Sequence, residues 1–322
     1  MADCFIIQKS KPLKQQTNIA EALEAAQDKQ NVVWINLLEP TDPELETVEK
    51  GLGLHELTTE DLKNPSGRAK IEDFDGHLFM TFKALNFNEG EDIEETINLN
   101  FILFKNLLVT VHISPILSIK ETMEDIAKRP AIMKAGADFL MYSILDRVID
   151  KYLPIIDQLD DETEQIEESI FEKFDSGVSE KIFGLKQMVA HLRRRVAPQR
   201  EMLANLSGRQ HALIHPKTQI YLRDVYDHII RVNDNLESYR DILQGAMDSY
   251  MTQISNRMNE VMKTLSIIAT LMLPLGFLTG LYGTNFELLP GSKGPYNFWI
   301  FVGVMVVLIL AGVGYFKSKK WF

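Results

Sequence analysis

Thr264–Phe286 reads TLSIIATLMLPLGFLTGLYGTNF, 23 residues in which Tyr282 is the only ionisable side chain. At about 1.5 Å per residue a helix of that length spans roughly 35 Å, enough to cross a bilayer with some tilt. A second uncharged run, Pro295–Phe316 (PYNFWIFVGVMVVLILAGVGYF), follows after the eight residues Glu287–Gly294, where Pro290, Gly291 and Gly294 favour a turn. The sequence therefore predicts a membrane hairpin: a first span at 264–286, a loop at 287–294, a second span at 295–316 and a basic tail at 317–322. Lys317, Lys319 and Lys320 follow the second span, and Arg257 and Lys263 precede the first, whereas the loop holds only Glu287 and Lys293. Positive flanks stay inside, so both chain ends are expected in the cytoplasm and the loop outside the inner membrane. Tyr282, Trp299, Tyr315 and Trp321 sit near the span ends, the depth that amphipathic rings prefer.

Roughly 250 residues precede the hairpin, enough for a sizeable soluble unit. The net charge of −11 argues against nucleic acid as a partner, because binding phosphate backbones needs a basic face. Cys4 is the only cysteine, which leaves no intrachain disulfide and no thiolate metal cluster. The start, MADCFIIQKSK, has no apolar run long enough for a cleaved signal peptide. The seven histidines show no metal-ligand pairing beyond His211 and His215, which lie beside a turn before Pro216, and no Gly-rich phosphate loop follows a strand. No catalytic constellation and no cofactor site emerges, so the chain does not read as an enzyme.

Working back from the hairpin, residues 216–263 form a stalk. Positions 225, 229, 232, 236, 239, 243, 246 and 250 are Val, Ile, Val, Leu, Tyr, Leu, Ala and Tyr, a strict alternation of four and three. That seam packs helices side by side. One helix through the seam into the first span would run about 100 Å from Lys217 to Gly283. A helix so long calls for partners, and a homo-oligomer about a central axis supplies them. Residues 146–215 read as a helix pair, acidic through DQLDDETEQIEES and then basic, with Arg193, Arg194 and Arg195 as ion-pair partners for the acidic helix. Residues 1–145 mix β-branched runs (Phe5–Gln8, Val32–Leu37, His77–Phe87 and Ile97–Ile113) with helical stretches at DPELETVEKGLGL and HELTTEDL. Thr41 is an N-cap candidate followed by Pro43. The expected class is α+β: a sheet covered by helices, then a helical stalk and two transmembrane helices.

These residues carry a family resemblance. Tyr282–Phe286 (YGTNF), preceded by NEVMKTLSIIATLMLPLGFLTG and followed by a second span with a Lys-rich tail, resembles the CorA family of divalent-cation channels, whose signature there is Gly-Met-Asn. Tyr221–Ile229 (YLRDVYDHI), Tyr142–Leu153 (YSILDRVIDKYL), Gly53–Leu62 (GLHELTTEDL) and Ser66–Phe79 resemble family segments in the family's order. The resemblance implies a funnel-shaped pentamer whose first span lines the pore, with Mg²⁺ as transported and regulatory ion. It also implies a hydrophobic constriction at Met262, Leu265 and Leu273, a polar ring at Asn259, and inhibitory Mg²⁺ held by Asp146 and Asp224. The departure is Thr284 in place of Met, which bears on ion identity. ZntB-like Zn²⁺ transport is therefore an alternative to Mg²⁺ (with Co²⁺ or Ni²⁺), and a non-conducting membrane-anchored scaffold is an alternative of another class.

The chemistry beside the resemblance is that of hydrated ions. Mg²⁺ holds its water tightly, and a ring of neutral oxygens from Gly283, Thr284 and Asn285 can hydrogen-bond that water without stripping it. Gly and Asn equally suit a left-handed helix cap. Gly276, seven residues before Gly283, leaves room on one helix face. The same heptad register continues down the stalk through Asp248, Asp241, Asp234 and Asp227, either as a solvated face or as stacked carboxylate rings that concentrate cations, with Asp248 nearest the gate.

Overall fold

The computed structural model describes residues 2–8, 12–63, 67–86, 96–172, 177–284 and 294–321. The chain divides into two units, Met1–Ala246 and Met247–Phe322. The first is built on a seven-stranded sheet of β1 (Ala2–Gln8), β2 (Lys14–Gln16), β3 (Asn31–Leu38), β4 (Lys70–Phe74), β5 (His77–Ala84), β6 (Ile97–Leu103) and β7 (Leu107–His112), ordered β2-β1-β3-β7-β6-β5-β4. Among the described residues β3 and β7 alone pair in parallel, Val33 opposite Leu107 through Leu38 opposite His112.

Side-chain alternation sorts the strands onto two covered faces. Val33, Ile35 and Leu37 of β3 and Leu107, Val109 and Val111 of β7 pack with Ile19 and Ala22 of α1 (Ile19–Gln27), Leu45 and Val48 of α2 (Asp42–Leu52) and Leu62 of α3 (Glu56–Lys63). The opposite face carries Trp34, which stacks on Phe5 at 5.1 Å and donates from Nε1 to Thr110 Oγ1 at 3.0 Å. Helices α5 (Ala131–Ala135) and α6 (Ala137–Asp150) contact the strands, and α4 (Leu117–Lys128) contacts α6. Local rules place the elements: at the start of α2 the Glu44 carboxylate accepts from the Thr41 N–H at 2.8 Å and the Thr41 hydroxyl at 3.0 Å, with Pro43 in the first turn. Gly53 ends α2 at φ 61°, ψ 46°, a left-handed conformation that costs glycine little.

The remaining helices of this unit are α7 (Leu153–Glu172), α8 (Gly177–Gly208) and the first part of α9 (Pro216–Tyr282). The seam from Val225 through Ile229, Val232, Leu236, Tyr239 and Leu243 to Ala246 is buried inside the chain's own unit. It is flanked by a bond from the Tyr239 hydroxyl to Asp160 Oδ1 on α7 at 3.1 Å and one from Lys186 Nζ on α8 to Gln244 Oε1 at 2.6 Å. The seam packs helices side by side as its spacing implies, here within the chain, because α7 and α8 offer apolar faces of their own, including Ile155, Leu159, Leu185, Val189 and Leu192. The arginine run differs from its expected pairing with the acidic helix: among the described residues Arg193 pairs with Glu237 of α9 at 3.1 Å, and Arg195 donates to Thr96 Oγ1 at 2.6 Å. The second unit holds the rest of α9 and α10 (Asn297–Ser318), both long and apolar enough to cross a membrane.

Candidate pore and cation sites

Within the second unit, α9 has two unlike faces. Ile267, Leu271, Leu275 and Leu278 are half-buried, and Leu271 lies against Gly312 of α10, where an added Cβ would clash with the leucine Cδ2. Tyr282 and Phe301 of α10 meet with ring centroids 5.0 Å apart. At about 100° per residue, Met262, Leu265, Ala269, Leu273, Gly276 and Gly283 fall in a stripe roughly opposite that packed face. Met262, Leu265 and Leu273 are 56%, 58% and 72% exposed, far more than apolar side chains need be, and a Cβ at Gly276 would meet nothing within 4 Å. Asn259 is exposed too, set about a quarter turn from the stripe in a straight helix.

The helix closes at the tripeptide. Gly283 N–H donates to Thr279 O at 2.9 Å, and the Thr284 hydroxyl donates to Leu281 O at 2.7 Å. Gly283 is not among the glycines with positive φ, which among the described residues are Gly53, Gly76 and Gly136, so Gly283 is not itself a left-handed cap. Thr284 spends its hydroxyl proton on the helix end and keeps its oxygen lone pairs exposed. Asn285 lies outside the described residues.

The first unit brings together a second group. Asp146 and Asp150, four apart on α6, offer carboxylate oxygens within 4.8 Å of each other and of a ring nitrogen of His228 on α9. Asp224, one turn before His228, places Oδ2 4.0 Å from His228 Nε2, and His228 Nδ1 is buried with no hydrogen-bond partner. Burial pushes the Asp146 carboxyl above its usual range, and the charges of Asp150 and Asp224 push it further. The Tyr142 phenol beside them is pushed up to about 12, first by burial and then by Asp146 and Asp224. Crowded carboxylates with one imidazole make a donor set that fits a divalent cation, the oxygens suiting Mg²⁺ and the nitrogen suiting Co²⁺ or Zn²⁺. Asp146 and Asp224 were named from the sequence; Asp150 and His228 were missed, although the four-residue spacing of each pair was the available signal.

Asp227, Asp234 and Asp241 are exposed on α9, Asp241 pairing with Arg240 at 2.7 Å. Asp248 is exposed as well.

The family model described as CorA-like Mg²⁺ transporter protein matches residues 29–318. The chain is 34% identical over 316 residues to the cobalt/magnesium transport protein CorA of Thermotoga maritima, covering 95% of this chain and 88% of that one. The complete structure of the CorA magnesium transporter from Methanocaldococcus jannaschii superposes with a TM-score of 0.82 at 25% identity, over 100% of this chain and 99% of that one. The ZntB cytoplasmic domain from Vibrio parahaemolyticus shares the fold, with a TM-score of 0.65 at 15% identity over 79% of this chain and 98% of that one. With these matches, a sheet-bearing unit followed by one long helix and a second apolar helix places the chain among metal-ion transporters of the membrane and not among enzymes. The chain belongs to the CorA-like Mg²⁺ transporter family.

Proposed function

We propose that the protein is a homopentameric divalent-cation channel of the inner membrane that passes Mg²⁺, with both termini in the cytoplasm. The observation that carries the reading is the unpartnered apolar stripe of α9 opposite its contact with α10. Lipid can cover apolar side chains, so it is the small residues Ala269, Gly276 and Gly283 of that stripe that favour a neighbouring helix, and five copies about an axis would turn it into a pore wall. Met262, Leu265 and Leu273 then form a constriction that blocks ions by dewetting, with Asn259 below it and Gly276 leaving room for a hydrated ion. Gly283, Thr284 and Asn285 form the outer mouth, where neutral oxygens bind the water of the ion. Asp146 and Asp224, with Asp150 and His228, hold the cation that shuts the channel, because a bound ion relieves their repulsion and favours the closed arrangement.

Zn²⁺ transport of the ZntB kind is the second reading, favoured by Thr284 in the filter and by the imidazole of His228. Flux of Mg²⁺, Co²⁺ and Zn²⁺ into liposomes holding the purified full-length chain separates the readings. Mg²⁺ uptake in preference to Zn²⁺ is the expected result; Zn²⁺ alone would favour the second reading, and no flux would leave a non-conducting scaffold. In the same assay Asn285→Ala should abolish uptake while the oligomer survives in detergent, since all its filter amides vanish together. Normal uptake by that variant would remove Asn285 from the filter.

A further inference from the structure

Outside the pore and the carboxylate cluster, the first unit contains a cavity of about 560 Å³ between the end of α8 and the start of α9. That volume lies in the range of small-molecule sites. We propose that this cavity binds a phosphate-bearing anion through Arg209, His211 and Arg223.

Pro216, Gln219, Ile220 and Arg223 line it from α9 at spacings of three, one and three, one side of the first two turns. Arg209 and His211 line it from the connecting loop, and no carboxylate does among the described residues. Neither arginine makes an ion pair among the described residues, in a chain whose net charge is −11. Two guanidinium forks at one cavity match the oxygens of a phosphate group, which they can grip bidentately.

His211 supplies the second, independent observation. Its side chain is only 9% exposed, its Nδ1 lies 3.3 Å from Asp73 Oδ2 on β4, and its Nε2 is buried with no hydrogen-bond partner. A buried polar atom left unsatisfied is costly, and this one belongs to a residue that lines the cavity. Nε2 itself is closed to solvent, so a rotation of the ring toward the cavity is what would let it meet an anionic oxygen. A cation would meet the two arginines instead.

The surroundings remove competing acceptors. The Gln219 amide donates to the carbonyls of Leu206 at 2.8 Å, Ser207 at 2.7 Å and Arg209 at 3.0 Å, so the exposed carbonyl end of α8 is already occupied. The loop is pinned behind the cavity by His215, whose N–H donates to Asp138 Oδ2 at 2.9 Å and whose Nδ1 accepts from the Lys217 N–H at 3.2 Å. The first-turn amide is therefore spent, and the positive charge comes from side chains, aided by the N-terminal end of the helix dipole.

The test is calorimetric titration of the full-length chain in detergent, stripped of metal with EDTA, using inorganic pyrophosphate in one arm and water-soluble dihexanoyl phosphatidic acid in another. Binding of either probe is expected, the arm that responds telling whether a soluble phosphate or a lipid headgroup is the source. Arg223→Ala and Arg209→Ala, at exposed positions outside the core, should each weaken binding by about tenfold or more. His211→Gln, which keeps a polar side chain, should weaken it with the melting curve unchanged. Absence of binding to both probes, or equal binding by wild type and the arginine variants, would overturn the proposal.

Discussion

Asp146 carries a charge that the surrounding protein opposes. Burial is the largest cause, followed by the carboxylate of Asp150, while His228 and Arg147 pull the other way without restoring the usual value. A carboxyl whose pKa is higher in the folded state binds its proton more tightly there than in the unfolded chain. Stability contributed by that proton is present at low pH and lost as pH rises from the ordinary carboxylate range through the raised value. In EDTA the melting temperature should therefore fall across that window, and Mg²⁺ should restore it above the window but not below, where Asp146 is protonated. Asp146→Asn should flatten the step and blunt the response to Mg²⁺. A Mg²⁺ shift of equal size at every pH, read by thermal melts of the full-length chain, would remove Asp146 from the cation site. At this scale the sequence was half legible. The pairs Asp146/Asp150 and Asp224/His228 can be seen to share helix faces, but no local pattern says that α6 meets α9 at those turns. That meeting is set by packing, which also ties Arg147 to Asp125 of α4 and fixes the register of α6.

At the scale of elements, the four-and-three spacing of α9 was plain in the sequence while its partner was not. A heptad stripe states that a helix will be covered, not by whom. Here the cover is intramolecular, and Leu236 is fully buried within it. Leu236→Ala should cost about 2–5 kcal/mol of stability, the range for truncating a buried leucine, and leave the oligomer's stoichiometry unchanged. Asp227→Ala, at an exposed position on the same helix, should shift stability by no more than about 0.5 kcal/mol. Dissociation of the oligomer by Leu236→Ala without loss of unit stability would place the seam at the subunit interface. The strands show a similar split. β3, β5, β6 and β7 are apolar runs and could be read directly, whereas β2 (KQQ) and β4 (KIEDF) escaped notice. Both are sheet edges, where polar side chains are retained because water reaches one side and a bare edge invites mispairing.

At the scale of the whole molecule, the two spans were legible from hydropathy alone, since a bilayer demands long uncharged helices and little else in the chain resembles them. The proposed mouth rests on the family's motif alone, and Asn285 lies outside the described residues. The acidic series is the feature on which a pentamer would act most strongly. Asp227, Asp234 and Asp241 are exposed away from the buried seam, and Asp248, in the second unit, is exposed too. One carboxylate on a stalk is a solvated side chain; five around an axis, at several levels, form a field that gathers cations below the gate. Such a field is screened by salt, with a Debye length of about 30 Å at 0.01 M and about 3 Å at 1 M. Asp248→Asn should therefore lower single-channel or liposome conductance several-fold near 0.01 M ionic strength and change it little near 1 M. Asp241→Asn should act more weakly, because Asp241 lies seven residues farther along the chain from the gate. Equal loss of conductance by Asp248→Asn at both ionic strengths would point to direct ligation of the ion. No loss at either would place the Asp248 carboxylates away from the axis, and the funnel of charge would be no more than a soluble helix face.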